Sequence, residues 1–266
     1  ILMLSASTDP GDSKSAFAAI RLGALDVMEK PVGVVTEAFS AIAAKLTAKV
    51  KSLSRIRVIH HYRPHRAPVA PLPLELPVGE RKVLAIGAST GGPKAVLQLL
   101  QSLPKDFKAA VLVVQHISDG FAPGFADWLN RETALPVRLA SQGEELHQGV
   151  VQIAPTGYHL KVEAGRVVLD QSPPVHNCRP AVDVFFQSLV TQELAPETVA
   201  LLLTGMGSDG ADGLVALRQG GAHTIAQDEA SCAVFGMPKV AIERDGASQV
   251  LALEQIPQII HRLFES

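Results

Sequence analysis

Cysteine is scarce in this chain of 266 residues: only Cys178 and Cys232 occur. Two isolated thiols build neither a disulfide scaffold nor a thiolate cluster, so a self-supporting core and a reducing, cytoplasmic setting are expected. An excess of one charge is missing too. Lys and Arg number 24 against 26 Asp and Glu, a net of −2 with neutral His, which leaves no basic field for gripping nucleic acid. Long hydrophobic runs are absent as well: stretches such as Ala109 to Val114 fall far short of the roughly 20 residues that cross a bilayer. No charged-then-apolar leader opens the chain, so neither membrane insertion nor export is expected. What is present is the make-up of a folded globular protein, 47% apolar and 19% charged with mean hydropathy +0.21. The length suits one large domain or two unequal ones.

The chain opens on Ile1 inside an apolar run, Ile1-Leu2-Met3-Leu4, and so reads as a piece of a longer protein. Residues 1–50 form a first unit. Its pattern predicts a strand over Ile1 to Leu4, a helix over Ser13 to Leu22, a short strand over Leu25 to Met28 and a helix over Val34 to Leu53. Residues 51–80 differ in kind. They hold Arg55, Arg57, His60, His61, Arg63, His65 and Arg66 beside Pro64, Pro68, Pro71, Pro73 and Pro77. Prolines at that density lack ladder donors and fix an extended backbone, so a semi-stiff linker with a solvated basic face is expected.

From residue 81 to residue 266 strand and helix patterns alternate. Strands are expected at Lys82–Ile86, Ala110–Val114, Val137–Ala140, Val199–Thr204, His223–Ala226 and Gln249–Leu253. Helices are expected near Pro93–Leu103, Phe121–Asn130, Val182–Glu193, Ala211–Gln219 and Gln255–Phe264. The last follows the i, i+3, i+4, i+7 rule through Ile256, Ile259, Ile260 and Leu263, with Pro257 in its first turn. Val150–Ala154, Tyr158–Glu163 and Arg166–Asp170 break the alternation and read as short strands of a β-hairpin. The whole predicts an α/β fold: a doubly wound, mostly parallel sheet with helices on both faces, preceded by a partial flavodoxin-like unit.

In such a sheet, ligands bind beyond the carboxyl ends of the strands. One strand delivers Gly87-Ala88-Ser89-Thr90-Gly91-Gly92 there, a second delivers Gln115-His116, and a third delivers Thr204-Gly205-Met206-Gly207-Ser208-Asp209-Gly210. Ser89, His116 and Asp209 thus reach one sheet edge from three strands, as a base-activated serine nucleophile requires. Each has a plainer reading: Ser89 as a helix N-cap, His116 as a strand-end histidine on a backbone group, Asp209-Gly210 as a turn. Their joint placement argues against three separate accidents. Gly87-x-Ser89-x-Gly91 resembles a nucleophile elbow, although the order Ser, His, Asp is not that of α/β-hydrolases.

A nucleotide-binding turn is the rival, since Gly87-x-Ser89-x-x-Gly92 nearly fits G-x-G-x-x-G. Ser89 stands where that motif needs its middle glycine, and Gln115-His116 stands where a ribose-binding acid is expected. Asp209 and Asp212 lack calcium-loop spacing, and the histidines show no metal-ligand spacing beyond His60-His61. Neither cofactor nor metal is expected.

At the level of joined motifs the chain resembles a known family. Val83 to Gly92, Val114-Gln115-His116, Ile153-Ala154-Pro155 through His159-Leu160 and Arg179-Pro180-Ala181-Val182-Asp183 are similar to the catalytic domain of the CheB chemotaxis methylesterases. So are Leu203 through Ala211, and Ala226-Gln227-Asp228-Glu229 through Phe235-Gly236-Met237-Pro238. The likeness spans residues 81–266. Residues 1–50, with Ser5, Gly23-Ala24-Leu25-Asp26 and Lys30-Pro31, resemble the last third of a response-regulator receiver.

The resemblance implies hydrolysis of γ-glutamyl methyl esters on methyl-accepting chemotaxis receptors, releasing methanol, with deamidation of receptor glutamines beside it. It implies Ser89 as nucleophile, His116 as general base, and Asp209 rather than Asp212 as the residue behind the imidazole. Backbone N–H groups of Thr90 and Met206 would be the oxyanion donors. A chemotaxis histidine kinase would be a partner of a full-length member. The phosphoacceptor aspartate of a receiver is not matched by Asp9, Asp12 or Asp26, so this chain is not expected to respond to phosphorylation. The loop Pro155-Thr156-Gly157-Tyr158-His159 is expected to line the substrate groove.

Overall fold

The computed structural model describes residues 1–5, 10–30, 37–54 and 82–264. Residues 55–81, which hold the basic and proline-rich part of the expected linker, lie outside them. The first unit is β1 (Leu2–Ser5), α1 (Pro10–Arg21), β2 (Asp26–Glu29) and α2 (Glu37–Leu53). Its two strands pair in parallel, Leu2 opposite Asp26 through Ser5 opposite Glu29.

The second unit begins with β3 (Val83–Ala88), α3 (Gly92–Gln101), β4 (Ala110–Gln115), α4 (Ala122–Glu132), β5 (Val137–Leu139) and β6 (Val151–Ile153). Then follow β7 (His159–Glu163), β8 (Arg166–Asp170), α5 (Val182–Thr191), a 3₁₀ turn at Ala195–Glu197 and β9 (Thr198–Leu202). The chain finishes with α6 (Ala211–Gln219), β10 (His223–Gln227), α7 (Met237–Glu243), β11 (Gln249–Leu251) and α8 (Ile256–Phe264).

Seven of these strands make one sheet in the order β11-β10-β9-β3-β4-β6-β5, and every neighbouring pair in it is parallel. The strands read as continuous apolar runs because both faces are covered. Alternation within each run sorts the side chains. Leu84, Ile86, Val111 and Val113 enter one core beneath α1, α3, α4 and α8, while Val83, Ala85, Leu112 and Val114 enter the other beneath α5, α6, α7 and the hairpin. From β3 the chain winds outward in both directions, so a crevice opens at the carboxyl ends of the central strands.

One expectation is corrected here. Val150–Ala154 does not belong to a hairpin: β6 inserts between β4 and β5 in the parallel sheet, and only β7 and β8 pair antiparallel. A fully buried three-residue strand has no exposed face, so no alternating pattern marks its partner. Helix α7 (Met237–Glu243) has no counterpart in the sequence pattern, because Gly236 and Pro238 punctuate its start.

Helix α1 packs on α4. Phe17 stacks on Trp128 with ring centroids 5.4 Å apart and lies 5.7 Å from Phe125. The ion pair Arg21–Glu132 (3.6 Å) closes the same contact. Among the described residues, no helix is long and apolar enough to cross a membrane.

Candidate active site

Strand β3 ends at Ala88, and Ser89-Thr90-Gly91 turns the chain into α3. Gly91, at φ +80°, is the N-cap of α3 and supplies no side-chain cap. The turn needs glycine twice over, since a β-carbon there would also lie 2.5 Å from Ala233 Cβ. Ser89 is therefore not the N-cap. It is 9% exposed, and its hydroxyl hydrogen-bonds to no other described residue.

Ala88 and Gln115 are register partners, and the His116 N–H donates to the Ala88 carbonyl at 2.9 Å. Ser89 and His116 thus leave adjacent strand ends side by side. The loop after β9 completes the edge: the Ser89 N–H donates to the Thr204 carbonyl at 3.0 Å. Gly205 then passes so close that a β-carbon would lie 2.8 Å from Ser89 Cβ and 2.3 Å from Met237 Sδ. Any side chain at 205 would displace the serine.

His116 Nε2–H donates to Asp209 Oδ2 at 2.7 Å. The Asp209 carboxylate also accepts the Val182 N–H (2.7 Å) and the Asp183 N–H (2.9 Å), the first two amides of α5. Burial alone would raise the carboxyl pKa. The imidazole and these two amides outweigh it, so Asp209 is held below the usual carboxylate range. Burial likewise opposes a charged ring at His116, and there too the partners win. The Asp209 hydrogen bond first and then Cys178 push its pKa up to about 9. The remaining ring nitrogen, Nδ1, faces Cys178 Sγ at 3.7 Å.

Of the three side chains singled out from the sequence, His116 and Asp209 are joined directly, and Ser89 leaves the strand end next to that of His116 with its hydroxyl bonded to neither. Asp212 stays apart, exposed and paired with Arg244. The N–H groups of Thr90 and Met206, in the loops that carry Ser89 and Gly205, bond to no other described group. His159 does not line a groove: it is fully buried, donating Nε2–H to the Pro173 carbonyl and accepting the Ala181 N–H, each at 3.1 Å.

Several further residues hold the site. Thr204 Oγ1 donates to the Thr90 carbonyl and accepts the Val234 N–H, both at 2.9 Å. The Gln115 amide donates at 2.8 Å to the carbonyls of Ser89 and of His116. No periodicity marks either residue; both sit inside the family-like motifs, and that was their only signal. A cleft of about 510 Å³ lies along α5 and β7, lined by Lys161, His176, Asp183 and Asp212 among others, but by none of the three central residues.

Donor atoms of His116, Cys178 and Asp209 lie within 4.8 Å of one another, a proximity the sequence spacing could not show. Both Asp209 oxygens and the ring Nε2 are already engaged. Only Nδ1 and the thiol remain, too few donors for a tetrahedral ion site.

Comparisons with known proteins identify the family. Residues 84–260 match the family model described as CheB methylesterase. The chain belongs to the CheB methylesterase family. A protein-glutamate methylesterase/protein-glutamine glutaminase of Koribacter versatilis is 40% identical over 98% of this chain and 74% of its own length. One from Cupriavidus pinatubonensis is 43% identical over 96% of this chain and 74% of its own. The crystal structure of the CheB methylesterase catalytic domain of Thermotoga maritima superposes with TM-score 0.65 at 39% identity, covering 70% of this chain and all of that one.

Proposed function

We propose that this chain is a protein-glutamate methylesterase and protein-glutamine glutaminase acting on cytoplasmic chemoreceptor helices through Ser89, His116 and Asp209. The single observation that carries the mechanism is the 2.7 Å His116–Asp209 bond, reached from the strand end next to the one that carries Ser89. Residues 1–50 are the end of a receiver unit, residues 51–80 its linker and residues 81–266 the catalytic domain. In a full-length member, a chemotaxis histidine kinase is the partner of that receiver.

With Nε2 bonded to Asp209, Nδ1 is the nitrogen that takes the Ser89 proton. Ser89 Oγ attacks the γ-ester carbonyl, and the oxygen that becomes negative is met by the N–H groups of Thr90 and Met206. One such donor typically stabilises the transition state by about 2.7–4 kcal/mol. The tetrahedral species collapses, methoxide leaves with the proton held on His116, and methanol departs. Water then gives a proton to His116 and attacks the acyl-serine, releasing glutamate and restoring the Ser89 hydroxyl. A glutamine substrate follows the same path with ammonia as leaving group. Asp209 keeps its charge throughout and stabilises the imidazolium. Each step uses only groups of this chain and water.

Methanol release from methylated receptor membranes tests this reading. The Ser89→Ala protein should release none above background while its circular dichroism spectrum is unchanged. Near-normal release by that variant would overturn the assignment.

A further inference from the structure

The proposed reaction gives no role to Cys178, the other neighbour of the imidazole. Cys178 ends a two-residue turn in which Val175 and Cys178 exchange both main-chain bonds (3.1 and 2.8 Å), with His176 at φ +51° and Asn177 at φ +59°. The segment is pinned from three directions. Arg179 donates to the Gln171 and Ser172 carbonyls, His176 bonds Asp183 at 2.9 Å, and buried His159 ties Pro173 to Ala181. The thiol is thereby held 3.7 Å from His116 Nδ1 while remaining partly exposed.

An imidazole beside a thiol accepts its proton and leaves a nucleophilic thiolate. Here the far side of that ring is bonded to a buried carboxylate, which stabilises the proton once it is transferred. On the strand end next to that of His116, the Ser89 hydroxyl is nine-tenths buried and has no hydrogen-bond partner among the described residues. Cys232 provides the contrast. Burial, then the Asp228 charge, push its thiol up to about 12, and no imidazole faces it among the described contacts.

We propose that Cys178 is a modification site through which a low-molecular-weight disulfide reversibly silences the enzyme. The Cys178 proton moves to His116 Nδ1, and the sulfur attacks one sulfur of the disulfide. The disulfide's S–S bond breaks, and the departing thiolate takes the proton from His116 and leaves as a thiol. The products are a mixed disulfide at Cys178 and one free thiol. The adduct stands against Nδ1, the nitrogen assigned above to take the Ser89 proton, so the base is blocked. A free thiol reverses the exchange by the same steps.

The silencing rests on the proposed role of His116, and the experiment separates the two. The whole chain, with Cys178→Ala, Cys232→Ala and His116→Gln variants checked for folding by circular dichroism, is exposed to oxidised glutathione in the presence of a chelator. The adduct is located and timed by peptide mass mapping, and methanol release is read relative to each protein's own untreated rate. The adduct should map to Cys178 and form about tenfold or more slowly without the imidazole. The parent and Cys232→Ala proteins should lose most of their activity and regain it with dithiothreitol, while Cys178→Ala keeps its own rate. An adduct on Cys232, equal capture rates with and without His116, or equal losses in Cys178→Ala would overturn the proposal. Mass mapping needs no turnover, so an untreated chain that releases no methanol would defeat the esterase reading while the thiol chemistry is still judged on adduct site and rate.

Discussion

The Asp209 carboxylate accepts three hydrogen bonds, one from the imidazole and two from the opening amides of α5. An Asn at this position offers one oxygen instead of two and turns an NH₂ toward donors. Asp209→Asn should therefore lower kcat by on the order of 10⁴, read in steady-state methanol release; a loss of only a few-fold would show that the carboxylate is not needed behind the ring. His116 sets the pH response. General-base action needs the neutral ring, and its pKa is pushed up to about 9. kcat/KM should climb with pH and level off above about 9. Because Cys178 helps to raise that value, the Cys178→Ala midpoint should fall; an unmoved midpoint would remove the thiol from the titration. Stability runs the other way. A ring whose folded pKa is raised from 6.5 to about 9 stabilises the fold fully below pH 6.5 and loses that contribution as pH rises toward 9. Thermal midpoints should thus decline over the window in which activity grows. At this scale the proposed trio was legible as candidates, since Ser89 and His116 stand just past strand ends and Asp209 lies in the loop after β9. The amides of Val182 and Asp183, the Thr204 hydroxyl and the Cys178 thiol were not, because they meet Asp209, the Thr90 carbonyl beside Ser89 or His116 only through tertiary contacts 26 to 114 residues apart in sequence.

At the scale of elements, the parallel strands were readable from their apolar runs, and α8 from its spacing. Ile256, Ile259, Ile260 and Leu263 are all buried, as the periodicity requires. Ile260→Ala should destabilise the fold by about 2–5 kcal/mol, read as a lower urea midpoint with unchanged slope; an effect well under 1 kcal/mol would mean that α8 is not packed as described. Strand β6 shows why the remainder was hidden. Three buried residues carry no periodicity, and their place between β4 and β5 is decided by the crossover geometry. The loop after β9 carries a sharper demand. Gly205→Ala should impair turnover far more than stability, because the added methyl lies 2.8 Å from Ser89 Cβ. A fully active Gly205→Ala protein would show that this close approach has no bearing on the serine.

At the scale of the molecule, the first unit touches the catalytic edge. The Gly91 N–H, two residues beyond Ser89, donates to the Leu25 carbonyl at 3.2 Å, and Phe17 is sealed against Trp128. Trp128 is the single tryptophan of the chain, so its emission reports the contact. Phe17→Ala should shift that emission to the red; an unchanged spectrum would mean that the rings do not stack in solution. Only the resemblance to receivers suggested that the first unit sits against the catalytic domain; the residue-level contact itself depends on shape shared between two distant segments. The parallel sheet, by contrast, follows from alternating strands and helices, and its strand order gathers β3, β4 and β9 at the centre. Acid-quenched turnover of a receptor peptide bearing a glutamyl methyl ester, followed by peptide mapping, tests that gathering most directly. The acyl group should be found on the Ser89 hydroxyl. A thioester on Cys178, or no acyl-enzyme alongside full turnover, would contradict it.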